Sequence, residues 1–309
     1  MSELLWMTEA DVAQSISIPE AIESIAEVLV RETTGAAGDI PKTMSTWEPK
    51  SSAHALGAFD HDAGLVGFKT WINTPQGAAA LMTVFDTKSG TASAVLEAGS
   101  LGMMRTAAMS GVATRALSAP DATEMTIVGS GRQALSQVRA VCAVRPIERV
   151  HVWSPRESSR EAMATSVRDN VDVQVFVHDS VSDAVRDVPI VTLVTRASEP
   201  FLERGLLAER AHLNAVGAIL PKNAEFEPQL LADADLVAVD SIENARRSSR
   251  EFREFFGDDW SPVHTLGQLL ADDTTRPSGA RLTVFKGLGM GLSDLAMAIL
   301  AIEAKEGKL

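Results

Sequence analysis

The chain has 309 residues, 45% hydrophobic and 22% charged, which fits a globular protein of one large domain or two. Its formal net charge of −13 and pI near 4.9 argue against nucleic acid or an anionic membrane as partner. The single cysteine, Cys142, cannot form an internal disulfide, and no apolar run approaches the ~18 residues of a membrane helix, so a soluble, cytoplasmic protein is expected.

Thr8 with Asp11 marks a first helix start, and Ser17 caps a second helix that carries Pro19 in its first turn. Ile22, Ile25 and Leu29 share one face of that helix, and Gly35 follows its end. Residues 53–59, 65–71, 81–86 and 92–97 read as strands of an antiparallel meander, with Lys88-Ser89-Gly90 as one of its turns. Ser100 opens a helix to about Leu117 that is crowded with small residues (Ala107, Ala108, Ser110, Gly111, Ala113), a composition suited to close approach of another backbone. Pro120-Asp121 breaks the pattern and marks a domain boundary.

Strands are then expected at 124–128, 149–153, 173–177, 189–195, 212–217, 235–240 and 281–285, with helices between most of them. This alternation predicts an α/β fold with a parallel, doubly wound sheet. A last helix over about 291–305 carries Leu292, Leu295, Ala296, Ile299 and Ile302, and either closes the second domain or crosses back onto the first.

Between the strand at 124–128 and the helix that follows stands Gly129-Ser130-Gly131-Arg132-Gln133-Ala134, a G-x-G-x-x-A turn. Its first glycine allows the tight turn, its second lets backbone approach a pyrophosphate, and the small third residue lets helix and strand pack closely. The helix N-terminus offers free N–H groups to the phosphates. At the end of the next strand an NAD-selective site would carry an acid for the ribose 2′-hydroxyl. This chain has Ser154-Pro155-Arg156 instead, which suits a 2′-phosphate and favours NADP(H) over NAD(H).

Two cations stand out. Lys69 lies mid-strand on the face of Gly67 and Trp71, either meeting a ligand or guarding a sheet edge. Arg105 has apolar or tiny neighbours and no acid four residues away, so it calls for an anionic ligand or a cross-domain ion pair. The six histidines are scattered without metal-ligand spacing, and neither a G-x-S-x-G elbow nor a phosphate-loop lysine motif occurs. No metal is expected.

Taken together, Gly67-Phe68-Lys69, Val84-Phe85-Asp86 through Gly90, Arg105-Thr106-Ala107-Ala108, the glycine turn, Asn214-Ala215-Val216-Gly217, and Val284-Phe285-Lys286-Gly287-Leu288-Gly289-Met290 with Asp294 resemble the ornithine cyclodeaminase/μ-crystallin family, in family order and over nearly the whole chain. The resemblance implies a Rossmann domain, residues 119–290, inserted in a second, α+β substrate-binding and dimerisation domain made of residues 1–118 and 291–309. It implies a homodimer built through the sheet of that second domain. By position, Lys69 and Arg105 match the family's catalytic and substrate-carboxylate cations, and Lys42 stands where an early arginine is common. The cofactor residues expected on these grounds are Thr106, Gly129, Gly131, Arg132, Gln133, Ala134, Ser154, Arg156, Thr195, Val216, Gly217 and Gly289.

Two departures bear on the substrate. Ile219 stands where cyclodeaminases and alanine dehydrogenases of the family carry an aspartate, and isoleucine cannot relay a proton. Gly287 replaces a common serine. The expected function is an NAD(P)H-dependent oxidoreductase that reduces a small imino (ketimine) or keto acid. Its rivals are an ornithine cyclodeaminase-type ammonia lyase and a non-catalytic NADPH-dependent binder.

Overall fold

The computed structural model describes residues 4–48 and 50–308. They form two compact units, one running up to Arg105 and resuming at Met290, the other Thr106–Gly289. The division falls earlier than the break at Pro120-Asp121, inside one continuous helix. The later half of that helix is bonded into the second unit: Asn214 Nδ2 donates to Thr114 Oγ1 at 2.8 Å, and Arg145 donates to the carbonyls of Thr114 and Arg115.

The first unit opens with β1 (Leu5–Met7), α1 (Glu9–Ser15) and α2 (Ile18–Thr33). Thr8 and Ser17 each close a capping box, with Asp11 and Glu20, so two orphan donors are satisfied at each helix start. Ile22, Ile25 and Leu29 are buried on one face of α2. The meander is β2 (Ala37–Glu48), β3 (Ser51–Asp60), β4 (Leu65–Thr74), β5 (Gly77–Asp86) and β6 (Ala92–Glu97). It makes a six-stranded sheet in the order β1-β6-β5-β4-β3-β2, antiparallel except where β1 pairs with β6. β2 has no counterpart among the expected strands, because it is polar, mostly exposed and interrupted by Pro41. It survives as the edge strand, with a register shift between Ile40 and Thr43 that absorbs the missing N–H.

Helix α3 (Gly99–Leu117) leads into the second unit. There β7 (Glu124–Val128), α4 (Ala134–Val144), β8 (Arg149–Trp153), α5 (Glu157–Asn170), β9 (Gln174–Val177), α6 (Val181–Val185), β10 (Ile190–Leu193), β11 (Ala211–Ala215), β12 (Leu236–Val239), α7 (Ile242–Ser248), α8 (Arg250–Phe256), β13 (Val263–Thr265), α9 (Leu266–Ala271) and β14 (Leu282–Lys286) follow. The eight strands are all parallel, in the order β13-β12-β14-β11-β10-β7-β8-β9. β10, β11, β12 and β14 are buried at every position, as a parallel sheet covered on both faces requires. The chain steps from β7 to β8 and β9 on one side, then crosses to β10 on the other. The strand order therefore reverses between β7 and β10, and in open α/β sheets ligands bind at the carboxyl ends of strands there.

The last helix, α10 (Gly291–Lys305), belongs to the first unit, which decides between the two placements open from sequence. It lies so close to the sheet that a Cβ on Gly291 would stand 2.2 Å from the carbonyl oxygen of Gly57. A Cβ on Gly67 would stand 3.0 Å from the Leu295 side chain. This contact gives the sheet two unlike faces. Met7, Leu96, Met82, Lys69 and Leu56 form one register row across five strands, all buried. The opposite face carries Thr70, Ile72, Ala79 and Leu81 to the exterior.

Candidate active site and dinucleotide cradle

Lys69 is the one charged side chain in that buried row. β4 lies inside the sheet, so the edge-guarding reading of Lys69 does not hold. Its Nζ donates to both carboxylate oxygens of Asp294 at 2.7 Å, and Asp294, on α10, is fully buried. Arg105, on α3, brings its Nε to 3.4 Å from the same Asp294 Oδ1. The acid that answers Arg105 thus comes from its own unit, where sequence had offered a cross-domain partner. Burial pushes the Lys69 ammonium below its ordinary range; Asp294 opposes that shift and Arg105 adds to it. Two cations against one carboxylate leave one positive charge over, held in a largely desolvated place where water screens little.

Lys42, on β2, is exposed and sets its Nζ 5.0 Å above the Trp71 ring, while Lys69 Nζ is 5.5 Å from the same ring. His54 stacks on Trp71 with centroids 4.5 Å apart and planes 3° apart. Burial, and then the charge of Lys42, hold its imidazole below the ordinary range. Lys42, Lys69 and Arg105, from β2, β4 and α3, all lie in the first unit. Asp294 was legible in the sequence only as part of a motif. The signal that marks it is a single acid early in a helix whose other charges, Glu303 and Lys305, fall in its last turn.

In the second unit the expected cofactor residues gather on one edge of the parallel sheet. Ser154 follows β8, Gly129 to Gln133 follow β7, Thr195 follows β10, Val216 and Gly217 follow β11, and Gly289 follows β14. These strands are neighbours in that order. Gly129 has φ +121°, and a Cβ there would lie 3.0 Å from the Val194 carbonyl oxygen. Space above Gly131 is open. Ala134, small and fully buried, begins α4; its amide donates to the Gly131 carbonyl at 2.9 Å, and the N-cap, Gln133, makes no side-chain capping bond. The turn fits a dinucleotide pyrophosphate on all three points. Arg132 is exposed beside it, and Thr106 lies on α3.

Ser154 is buried and shares a hydrogen bond with Ser130, hydroxyl to hydroxyl, at 3.0 Å. Arg156 is exposed at the N-cap of α5. Arg160 is already engaged, donating to the Ser154 carbonyl and to Asp179. Gly289, with φ +91°, donates to Asp240. Ile219 is 45% exposed in the loop after β11. Glu225 is fully buried, with both oxygens accepting from the chain around Thr195 and Gly217. Cys142, half-buried on α4, has its thiol pushed up to about 11 by burial, so it carries no nucleophile near neutral pH. Among the described residues no three His, Cys, Asp or Glu side chains converge to hold a metal, and no helix is long and apolar enough to cross a membrane.

An all-parallel sheet with this strand order and this turn defines a Rossmann-type α/β protein. The chain belongs to the ornithine cyclodeaminase/mu-crystallin family, whose model matches residues 3–308. It is 32% identical to a Δ1-pyrroline-2-carboxylate reductase of Bacillus cereus over 224 residues, 71% of this chain and 68% of that protein. In fold it is similar to the Δ1-pyrroline-2-carboxylate reductase of Thermococcus litoralis in complex with NADH and L-proline, with TM-score 0.92, 25% identity and 99% and 98% of the two chains covered. An archaeal alanine dehydrogenase dimer with bound NAD gives TM-score 0.91 at 25% identity, covering 99% of this chain and 97% of that one.

Proposed function

We propose that the protein reduces a small imino (ketimine) acid, or a keto acid whose nitrogen is supplied by ammonia or an amine, with NAD(P)H, yielding an amino acid-type product. The observation that carries this is the convergence of Lys69 and Arg105 on Asp294. One buried carboxylate leaves one cationic charge over, which matches a monocarboxylate substrate. Arg105 takes that carboxylate with its planar fork, and Lys42 adds a mobile charge at the rim. Lys69, made more acidic by burial, is the proton donor to the nitrogen or oxygen of the C=N or C=O group. The dihydronicotinamide supplies the hydride when bound. The turn at Gly129–Ala134, with Thr106, Thr195, Val216, Gly217 and Gly289, holds the dinucleotide. Ser154 and Arg156, in place of an acid, favour NADP(H) over NAD(H). The similarity to reductases of a cyclic imino acid supports the substrate class.

Residues around the loop after β11 argue against cyclodeamination. Ile219 has no titratable group to relay a proton, and Glu225 has both oxygens taken up by donors of its own chain. The first unit serves substrate binding and dimerisation, the second the dinucleotide. The exposed face of the six-stranded sheet supports a homodimer. It forms an uncharged concavity of about 550 Å³ lined by Thr43, Ser45, Ala53, Ala55, Thr70, Ile72, Ala79 and Leu81, among others. An apolar sheet face of this kind is rarely left to water. Leu56, Met82 and Val84 do not contribute to it, since they are buried on the opposite face against their own unit.

The deciding experiment is NADPH and NADH oxidation over a panel of cyclic imino acids and 2-keto acids with ammonia or amines, with ornithine as control. Net oxidation with a cyclic imino acid is expected. Ammonia release from ornithine without net oxidation would make the protein a cyclodeaminase, and tight NADPH binding without turnover would make it a binder. Sedimentation should give twice 32.9 kDa, and a monomer at micromolar concentration would remove the dimer from this reading.

A further inference from the structure

We infer that Glu225 is a positioning residue that shapes the half of the dinucleotide site beyond the pyrophosphate, by clamping the loops after β10 and β11 together. The inference rests on the dinucleotide reading above. Glu225 Oε1 accepts from the Thr195 amide at 2.6 Å and the Thr195 hydroxyl at 2.8 Å. Its Oε2 accepts from the amides of Gly217 and Ala218, both at 2.9 Å. Three of the four partners are backbone amides, which can only donate, and the fourth is a hydroxyl that donates here, so the ionised form satisfies every one of them, and a proton on Oε2 would face two donors. The side chain is fully buried, and so are the groups behind it. Glu251 Oε1 accepts from the Glu225 amide at 3.1 Å and pairs with Lys286 Nζ at 3.2 Å. Lys286 thus lends a positive charge to a clamp that would otherwise be two carboxylates alone.

The clamp works at close quarters. A Cβ on Gly217 would stand 2.2 Å from both the amide and the carbonyl oxygen of Thr195 and 2.4 Å from Glu225 Oε1. The neighbouring Val194 carbonyl oxygen is the atom against which Gly129 is packed. Gly129, Thr195 and Gly217 therefore form one rigid rim across the ends of β7, β10 and β11. With the pyrophosphate at the turn after β7, Ser154 after β8 lies toward the adenosine half. The rim over β10 and β11 is left for the other half. The Glu225 carboxylate bonds to the chain that builds this rim, while its backbone amide donates to Glu251 and its carbonyl accepts from Phe201 and Leu202.

The role predicts a split that loss of structure in general would not produce. Glu225→Gln turns one acceptor oxygen into an NH2 group facing N–H donors, which should splay Thr195 from Gly217. NADPH and NADH should then bind at least about tenfold more weakly. Adenosine 2′,5′-bisphosphate and ADP, which stop at the pyrophosphate or short of it, should keep their affinity within about twofold. Titration calorimetry on the full-length protein reads both. Thr195→Val, which removes one donor without altering a buried charge, should show the same split at smaller size if the Gln variant does not fold. Dinucleotide and adenosine probes weakening together, or neither weakening, would overturn the clamp. Wild-type protein that binds neither dinucleotide would bring down the dinucleotide reading itself, a distinct result.

Discussion

Each unit buries a lysine against a carboxylate, and the two pairs are built differently. In the first, Lys69 and Arg105 share Asp294, so two cations meet one acid, and the Arg105 side chain keeps 18% of its surface open. In the second, Lys286 pairs with Glu251 while Glu225 stands behind it, so one cation meets two acids, and Lys286 and Glu251 are fully closed to solvent. Burial raises the Glu225 carboxyl, and Lys286 together with the surrounding donors opposes the rise. A buried ion pair by itself indicates neither stability nor function. What separates these two is the sign of the surplus charge and whether it has already been answered. The surplus acid of Glu225 is answered by four donors of its own chain. Among the described residues, the surplus cation beside Asp294 has no such set of acceptors, which is the condition for binding an anion.

The largest expected effect breaks the first pair. Lys69→Ala should lower kcat by about 10²–10⁴, the usual worth of a positioned proton donor, with NAD(P)H affinity unchanged in calorimetry. The same group sets a pH dependence. Lys69 must be protonated to donate, and its pKa lies below the ordinary 10.5, so kcat should be full at lower pH and fall as pH rises through that depressed value. A flat profile up to pH 10.5 would show that Lys69 does not donate. The second pair should respond in stability instead. Lys286→Met leaves two buried carboxylates without their cation and should cost about 3–5 kcal/mol in urea unfolding. Normal stability in this variant would mean that the backbone donors alone hold Glu225, and the contrast drawn above would lose its second half.

Finer changes sharpen the contrast. Arg105→Lys keeps the charge and loses the fork, so KM should rise about tenfold while cofactor affinity and unfolding midpoint stay nearly constant. Lost stability with normal kinetics would instead make Arg105 a structural partner of Asp294. The smallest effect is expected at Arg156, exposed at the start of α5. Arg156→Ala should weaken NADP(H) about fivefold to tenfold and leave NAD(H) alone. Equal loss for both cofactors would remove the 2′-phosphate assignment.

The order of elements was legible from local pattern. The strand at 124–128, the glycine turn behind it and the closing helix at 291–305 all lie where periodicity and turn chemistry put them. Each is decided by residues a few positions apart, which is the range over which backbone sterics and capping act. Lys69 and Arg105 were singled out on local grounds too, Lys69 by its mid-strand place on the face of Gly67 and Trp71, Arg105 by the lack of an acid four residues away.

What answered those cations was settled only in three dimensions. Asp294 lies 225 positions from Lys69, and it reaches it because Gly291 and Gly67 let α10 settle on the sheet, Gly291 against the Gly57 carbonyl and Gly67 beneath Leu295. No period in the sequence encodes that contact; it depends on sheet register and on the absence of two side chains. Glu225 reads in the sequence as one acid among many, and becomes a clamp only when β10 and β11 pair side by side and bring Thr195 to Gly217. β2 shows the same limit from the other direction. With Pro41 in its midst it has no strand signature of its own, and it is a strand because β3 offers it a partner along an open edge. Local chemistry determined which residues were candidates. The long-range register of one sheet and the packing of one helix decided which charges meet.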